Sequence, residues 1–181
     1  MSIYTIPGRE FRAVMSAAAK DSVRYYLNGF LIDPESEMVA TNGCILLRHP
    51  LELAEGSDPI TEQVILAVEG NALPVAVETV TIDTETLRLT GTTSRGQEHV
   101  RALTVIDGKF PDYRKVVPDT DNAVAIDSIA WNPELLAGAQ KAMNKDTLTP
   151  VRMRFTGHGL SPIALEWPGT DLTGVVMPCR A

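Results

Sequence analysis

The sequence predicts an α+β protein in which antiparallel sheet dominates. Three observations carry this. Short branched and aromatic runs alternate with Gly, Pro, Asn and Asp turns along most of the 181 residues. Two stretches, residues 7–24 and the one opening at Asn132-Pro133-Glu134, place apolar residues at helical spacing. Strand–helix–strands occurs near both ends with strands between, a weak internal repeat of about 55–60 residues.

In residues 7–24, Phe11, Val14, Met15 and Ala18 form one apolar stripe, and Arg9, Arg12, Ser16 and Lys20 fall opposite. Pro7 suits a helix start. Residues 23–32 and 38–48 read as strands joined by the Asp33-Pro34-Glu35-Ser36 turn, with a tight turn at Asn42-Gly43. Residues 51–60 are acidic and broken by Gly56 and Pro59, hence a loop.

Residues 64–68 are an unbroken apolar run, ended by Glu69-Gly70-Asn71 and Pro74 with no helix pattern after it. Residues 75–82 and 86–90 read as paired strands, and 99–106 as another. Residues 107–114 are rich in turn formers and hold two aromatic packing anchors, Phe110 and Tyr113. A strand is expected at 123–129. A helix follows, with Asn132 as cap, Leu135, Leu136, Ala139 and Met143 inward, and Lys141 and Lys145 outward. Strands at 151–155, 162–167 and 172–177 complete the chain.

Composition excludes several function classes. Apolar residues at 44% and charged residues at 22% are ordinary globular usage. A formal charge of −7 excludes retention on nucleic acid by overall charge, though not by a local basic face. Two distant cysteines, Cys44 and Cys179, with His49, His99 and His158, give no zinc spacing and no disulfide framework. A reducing cytoplasm fits. The first residues lack a charged-then-apolar leader, and no apolar run reaches membrane length. No catalytic constellation, metal site or cofactor loop is present: there is no G-x-S-x-G, Walker loop or H-E-x-x-H. From the residues alone, this is a non-enzymatic protein with two basic-faced helices, whose charges read first as a solvated face.

Three stretches are more specific. They are Val23-Arg24-Tyr25-Tyr26-Leu27-Asn28-Gly29 with Val39-Ala40-Thr41-Asn42-Gly43, then Asp107-Gly108-Lys109-Phe110-Pro111-Asp112-Tyr113-Arg114-Lys115-Val116-Val117-Pro118, and Val175-Val176-Met177-Pro178-Cys179-Arg180. In this order they resemble the beta subunit of bacterial DNA polymerase III, the sliding clamp. Residues 1–118 resemble that family's middle domain and 119–181 the second half of its third. The family's first domain and the first half of its third have no counterpart.

The resemblance implies a DNA-clamp fold of repeated half-domain units, with antiparallel sheets outside and helices on an inner face. It implies a processivity factor that encircles duplex DNA without reading sequence and binds DNA polymerase and other clamp-binding proteins, with a clamp loader among the implied partners. Arg9, Arg12, Lys20, Arg24, Lys141 and Lys145 are the candidate DNA contacts. Carried over by motif, a hydrophobic client-peptide groove takes in Leu27, Thr41, Gly43, Leu46, Pro118, Leu160, Pro162, Val175, Met177, Pro178 and Arg180. For Leu27 and Val175, groove and core readings fit equally. Where the family has Asp-Gly-His-Arg-Leu, this chain has Asn42-Gly43-Cys44-Ile45-Leu46, a more apolar lining that also brings Cys44 and Cys179, read as reduced thiols, to the groove. Rings of this family contain about twelve half-domain units, so three units per chain imply a homotetramer, with an unclosed dimer as runner-up. The second reading is a clamp-like adaptor or decoy that keeps the groove and forms no ring.

Overall fold

The computed structural model describes residues 2–122, 124–125, 128–143, 149–157 and 159–179. β1 (Ile3–Pro7) runs into α1 (Gly8–Ser16). β2 (Phe30–Ile32), β3 (Glu37–Thr41), β4 (Ile45–Pro50) and the short β5 (Glu52–Leu53) follow. β6 (Val64–Val68) connects through residues 69–76, without a helix, to β7 (Val77–Asp83), β8 (Arg88–Thr93) and β9 (Glu98–Val105). α2 (Glu134–Met143) then leads to β10 (Arg152–Phe155), β11 (Ile163–Glu166) and β12 (Thr173–Val176).

Among the described residues these strands form one twelve-stranded sheet, ordered β10-β11-β12-β4-β3-β2-β6-β9-β8-β7-β1-β5. Every adjacent pair is antiparallel. The last strand of the chain thus pairs with β4, with Val175 opposite Leu46.

The period-two alternation of β2, β3 and β4 explains why their sequences are nearly all apolar. Phe30, Ile32, Met38, Ala40, Ile45 and Leu47 belong to the core that contains α1 and α2 residues. Leu31, Val39 and Leu46 belong to a second cluster with Leu27, Ile65, Phe110 and Tyr113. A sheet covered on both faces selects continuous apolar runs rather than alternation. The second cover is the linker around Phe110 and Tyr113, together with the 3-10 turn Tyr25–Leu27.

α1 and α2 pack against each other. A Cβ placed on Gly138 would lie 2.6 Å from Ser16 Cβ, so the absent side chain permits the approach. Ser16, expected on an exposed basic face, is therefore in the helix contact. Trp167 is fully buried, and its indole N–H donates to Gln140 Oε1 at 3.2 Å, tying α2 to the sheet. The Asn132 cap forms as expected: its Oδ1 accepts from the Glu134 N–H at 3.0 Å.

Several boundaries differ from expectation. The first helix ends at Ser16, not near residue 24, so Lys20 and Arg24 lie beyond it. Its stop is tertiary: the Ala19 N–H donates to the Leu27 carbonyl at 2.9 Å, and Asp21 adopts φ 51°. The expected strand at 23–32 is mostly turn. Asn28 bonds the Ser22 backbone through both amide atoms, and only Phe30–Ile32 remains strand. β1, the strand that the repeat calls for before the first helix but to which no residues were assigned, pairs with β5 and β7. Of the strand expected at 123–129, the described residues 124, 125, 128 and 129 are not strand, although Val124 N–H donates to Phe155 O at 2.7 Å. Residues 123, 126 and 127 lie outside the described residues.

Candidate peptide groove and helix face

On the sheet face away from α1, Thr41, Leu46 and Val175 stand in one row across β3, β4 and β12, register partners in sequence. Met177 continues the row just beyond β12, its N–H donating to the Cys44 carbonyl at 2.8 Å. A cavity of about 200 Å³ opens over this row. Leu27, Thr41, Leu46 and Val175 form a floor no more than 7% exposed. Arg24, Gly43, Cys44, Val116 and Met177 form exposed parts of its rim. The floor is rigid because it is also the outer surface of a packed cluster.

Local polar bonds shape the rim. Asn42 Oδ1 accepts from the Cys44 and Ile45 N–H groups at 2.8 and 3.1 Å. Thr41 Oγ1 accepts from the Gly43 N–H at 3.0 Å and donates to Ile45 O at 2.7 Å. Arg24 Nη2 donates to the Asn42 carbonyl at 3.3 Å, leaving an exposed guanidinium at the mouth. Asp112 stands on the facing rim, its carboxyl held below the ordinary value by its bond to Lys115. The mouth therefore carries one charge of each sign over an apolar floor.

The linker wall is pinned from behind. The Tyr113 hydroxyl sits between the Asp33 and Glu37 carboxylates and donates to one of them at a time. Arg114 bonds Asp33 and, at 2.9 Å, Glu35, with its guanidinium 4.7 Å from the Tyr113 ring centre. Arg48 bonds Glu37 at 3.2 Å. Asp33 is 2% exposed, and its other oxygen accepts from the Glu35 and Glu37 N–H groups, each at 3.0 Å. Burial, then the two carboxylates, push the Tyr113 phenol well above its ordinary value.

On the opposite face, Arg9 Nε donates to Glu10 Oε1 at 2.8 Å. Arg12 is half-buried and donates to the Pro74 and Val77 carbonyls at 3.4 and 3.1 Å. Burial lowers its pKa, with Glu10 opposing. Lys20 and Lys141 are exposed and, with Arg12, line a second cavity beside the helices.

No protein-family model matches the chain. Curated relatives do. The beta sliding clamp of Pseudomonas putida is 34% identical over 117 residues, covering 56% of this chain and 29% of the relative. That of Pseudomonas aeruginosa is 35% identical over 113 residues. Over that stretch the chain is similar to the bacterial beta sliding clamp. The matched part spans under a third of those relatives. Solved clamps show the same fold along the whole chain. A DNA polymerase III beta subunit from Thermotoga maritima has a TM-score of 0.63 at 16% identity, covering 100% of this chain and 66% of that one. The Pseudomonas aeruginosa clamp has a TM-score of 0.57 at 20% identity, covering 99% and 67%.

Against the residues carried over from the clamp family, the structure brings Leu27, Thr41, Gly43, Leu46, Val175 and Met177 to one cavity. Pro118, Leu160, Pro162 and Pro178 do not line it, and Arg180 lies outside the described residues. Arg24, assigned to DNA, stands at the groove mouth instead. Tyr113, read as a packing anchor, is that and cavity wall together, and Pro111, Asp112 and Val116 join it. Those three had no periodic signal, since they sit in a linker. Lys145 lies outside the described residues. Cys44 and Cys179 are both exposed free thiols. Among the described residues no cluster of His, Cys, Asp or Glu is arranged to hold a metal, and no helix is long and apolar enough to cross a membrane.

Proposed function

We propose that this chain is a compact sliding clamp: a non-catalytic, cytoplasmic processivity factor that encircles duplex DNA and holds client proteins through the groove over Leu46 and Val175. The observation that carries the reading is this rigid apolar floor at the β4–β12 seam, in a chain similar to the clamp family. An extended peptide with bulky apolar side chains fits it. In the same reading, residues 1–118 and 119–181 are the one-and-a-half clamp domains. Arg9, Arg12, Lys20 and Lys141 meet phosphates from the helix face.

Ring formation needs complementary ends. The edge strand β10 carries Arg152 and Arg154, both also bonded to Glu166, while the other edge, β5, carries Glu52 and runs toward Glu55 and Asp58. Opposite charge at opposite edges supports head-to-tail association of identical chains, which closes into a ring when the rotation permits. Four chains of three units each make up the family's twelve.

A labelled clamp-client peptide titrated with the protein should show saturable binding. Met177→Glu, at an exposed rim position, should weaken it by about tenfold or more without unfolding the chain. Absence of binding up to about 1 mM, or an unchanged affinity in the variant, would remove the groove reading.

A further inference from the structure

The sheet face that carries α1 and α2 is covered unevenly. Residues 69–76 take β6 into β7 without a helix. That connection meets the face through Leu73: a Cβ placed on Gly91 would lie 3.2 Å from Leu73 Cδ1. Opposed residues of an antiparallel sheet share a face, so side-chain rows can be followed from strand to strand. One row runs Tyr4, Ile82, Leu89 and Arg101, and the next Ile6, Val80, Gly91 and His99. The first three members of each row are buried. On β9 both rows turn polar and partly exposed. Val105, on the same face of β9, is 50% exposed. A helix laid over β9 would strip water from the Arg101 guanidinium with no carboxylate to meet it, at heavy cost. The residues of β9 therefore suit a face that stays open.

Resting on the DNA reading above, we propose that Arg101 is a strand-borne phosphate contact, which does on β9 what the helix cations do on the rest of this face. Its Nε donates to the Asn71 carbonyl at 2.9 Å and its Nη1 to the Val100 carbonyl at 2.8 Å. These bonds hold the guanidinium in place and leave its charge uncompensated, since no carboxylate bonds it among the described residues. Arg88 makes the contrast: it lies on the opposite face of the same strands, in register with Asp83. The helix side also carries Arg12, Lys20 and Lys141, all of one sign in a chain of net charge −7. A merely solvated surface needs no such bias. A phosphate backbone matches it, and a contact of this kind fixes position without reading bases.

The probe is a labelled duplex oligonucleotide titrated with the full chain across a salt series. The slope of log affinity against log salt counts the phosphates neutralised, at about 0.9 per contact. Arg101→Gln should lower the slope by about 1. Arg101→Lys should keep it, because the charge stays although the fixed pair of carbonyl bonds is lost. Arg88→Gln, on the opposite face, should leave slope and affinity unchanged. Circular dichroism verifies the fold of each variant. An unchanged slope in Arg101→Gln, where Lys141→Gln lowers it, overturns the role of Arg101 and leaves the DNA reading standing. Equal losses in Arg101→Lys and Arg101→Gln make the residue a strap for the 69–76 connection and also overturn the proposal. So does a loss in Arg88→Gln as large as in Arg101→Gln, which would reflect overall charge alone. No duplex binding by the natural chain even at low salt removes the DNA reading, and this inference with it.

Discussion

Gly174→Val is expected to open the seam between β12 and β4 and to take the groove with it. Even a Cβ at this position would lie 2.4 Å from the Leu46 carbonyl oxygen and 2.5 Å from Leu47 Cδ2. The first of these is backbone, in a strand held by neighbours on both sides, and cannot swing away. Overpacking of this kind costs about 1–3 kcal/mol. The functional loss should be larger than the stability loss suggests. Leu46 and Val175, the two floor residues that face each other across the seam, flank the inserted side chain on both strands. Denaturant unfolding should show the lower stability, and client-peptide titration a loss of about tenfold or more. A valine variant with unchanged peptide affinity would contradict the placement of the groove at this seam.

The second large effect concerns Asp33. Its carboxylate receives the Tyr113 hydroxyl, the Arg114 guanidinium and two backbone N–H groups, in a nearly fully buried position. Asp33→Ala leaves the Tyr113 hydroxyl to Glu37 and the half-exposed Arg114 to Glu35, but strands the Glu35 and Glu37 N–H groups and removes the centre of the network, a loss of about 1–3 kcal/mol. The 107–116 linker should detach from the β2–β3 hairpin, and the wall made by Tyr113 and Val116 should go with it. Hydrogen exchange localised to that linker checks this directly. Protection unchanged in Asp33→Ala would mean that Phe110 packing and the bonds to Glu35 and Glu37 hold the linker without Asp33.

The same network has a pH signature. The folded-state pKa of Tyr113 is raised above its ordinary value of 10.0, chiefly by burial. Below that ordinary value the phenol is protonated in both folded and unfolded chains, and its contribution is complete. As pH climbs past it, the unfolded chain loses its phenolic proton while the folded chain keeps it, so stability falls. Between about pH 9 and 11, the melting temperature should drop more steeply in the natural chain than in Tyr113→Phe. Parallel profiles would show that Tyr113 titrates normally.

Much of this arrangement was legible in the residues, and the reasons for the gaps are physical. α2 announced itself through Asn132-Pro133-Glu134, because a cap and a first-turn proline act locally. The Asn42-Gly43 turn did so too, through side-chain bonds within three residues. The end of α1 did not, because the apolar stripe continues past Ser16 and the stop is a bond from Ala19 to Leu27, beyond the reach of a helical turn. β1 was implied by the repeat but had no residues assigned to it, since five residues ending in proline become a strand by pairing with β5 and β7. The groove floor followed from family motifs, with Leu27 and Val175 left open between groove and core. Its linker wall did not, since Pro111, Asp112 and Val116 are placed by a tyrosine held between two distant carboxylates. Arg24 was misplaced because the helix was drawn too long.

The central claim is that this short chain completes a ring, and the absolute mass in solution tests it most directly. Light scattering across a range of protein concentrations at moderate salt should give a stable mass of four chains. The mass should fall when Arg152 and Arg154 on the β10 edge are both reversed to glutamate. A mass of one or two chains at every concentration would contradict the ring, and would leave a clamp-like adaptor that binds client peptides without enclosing DNA.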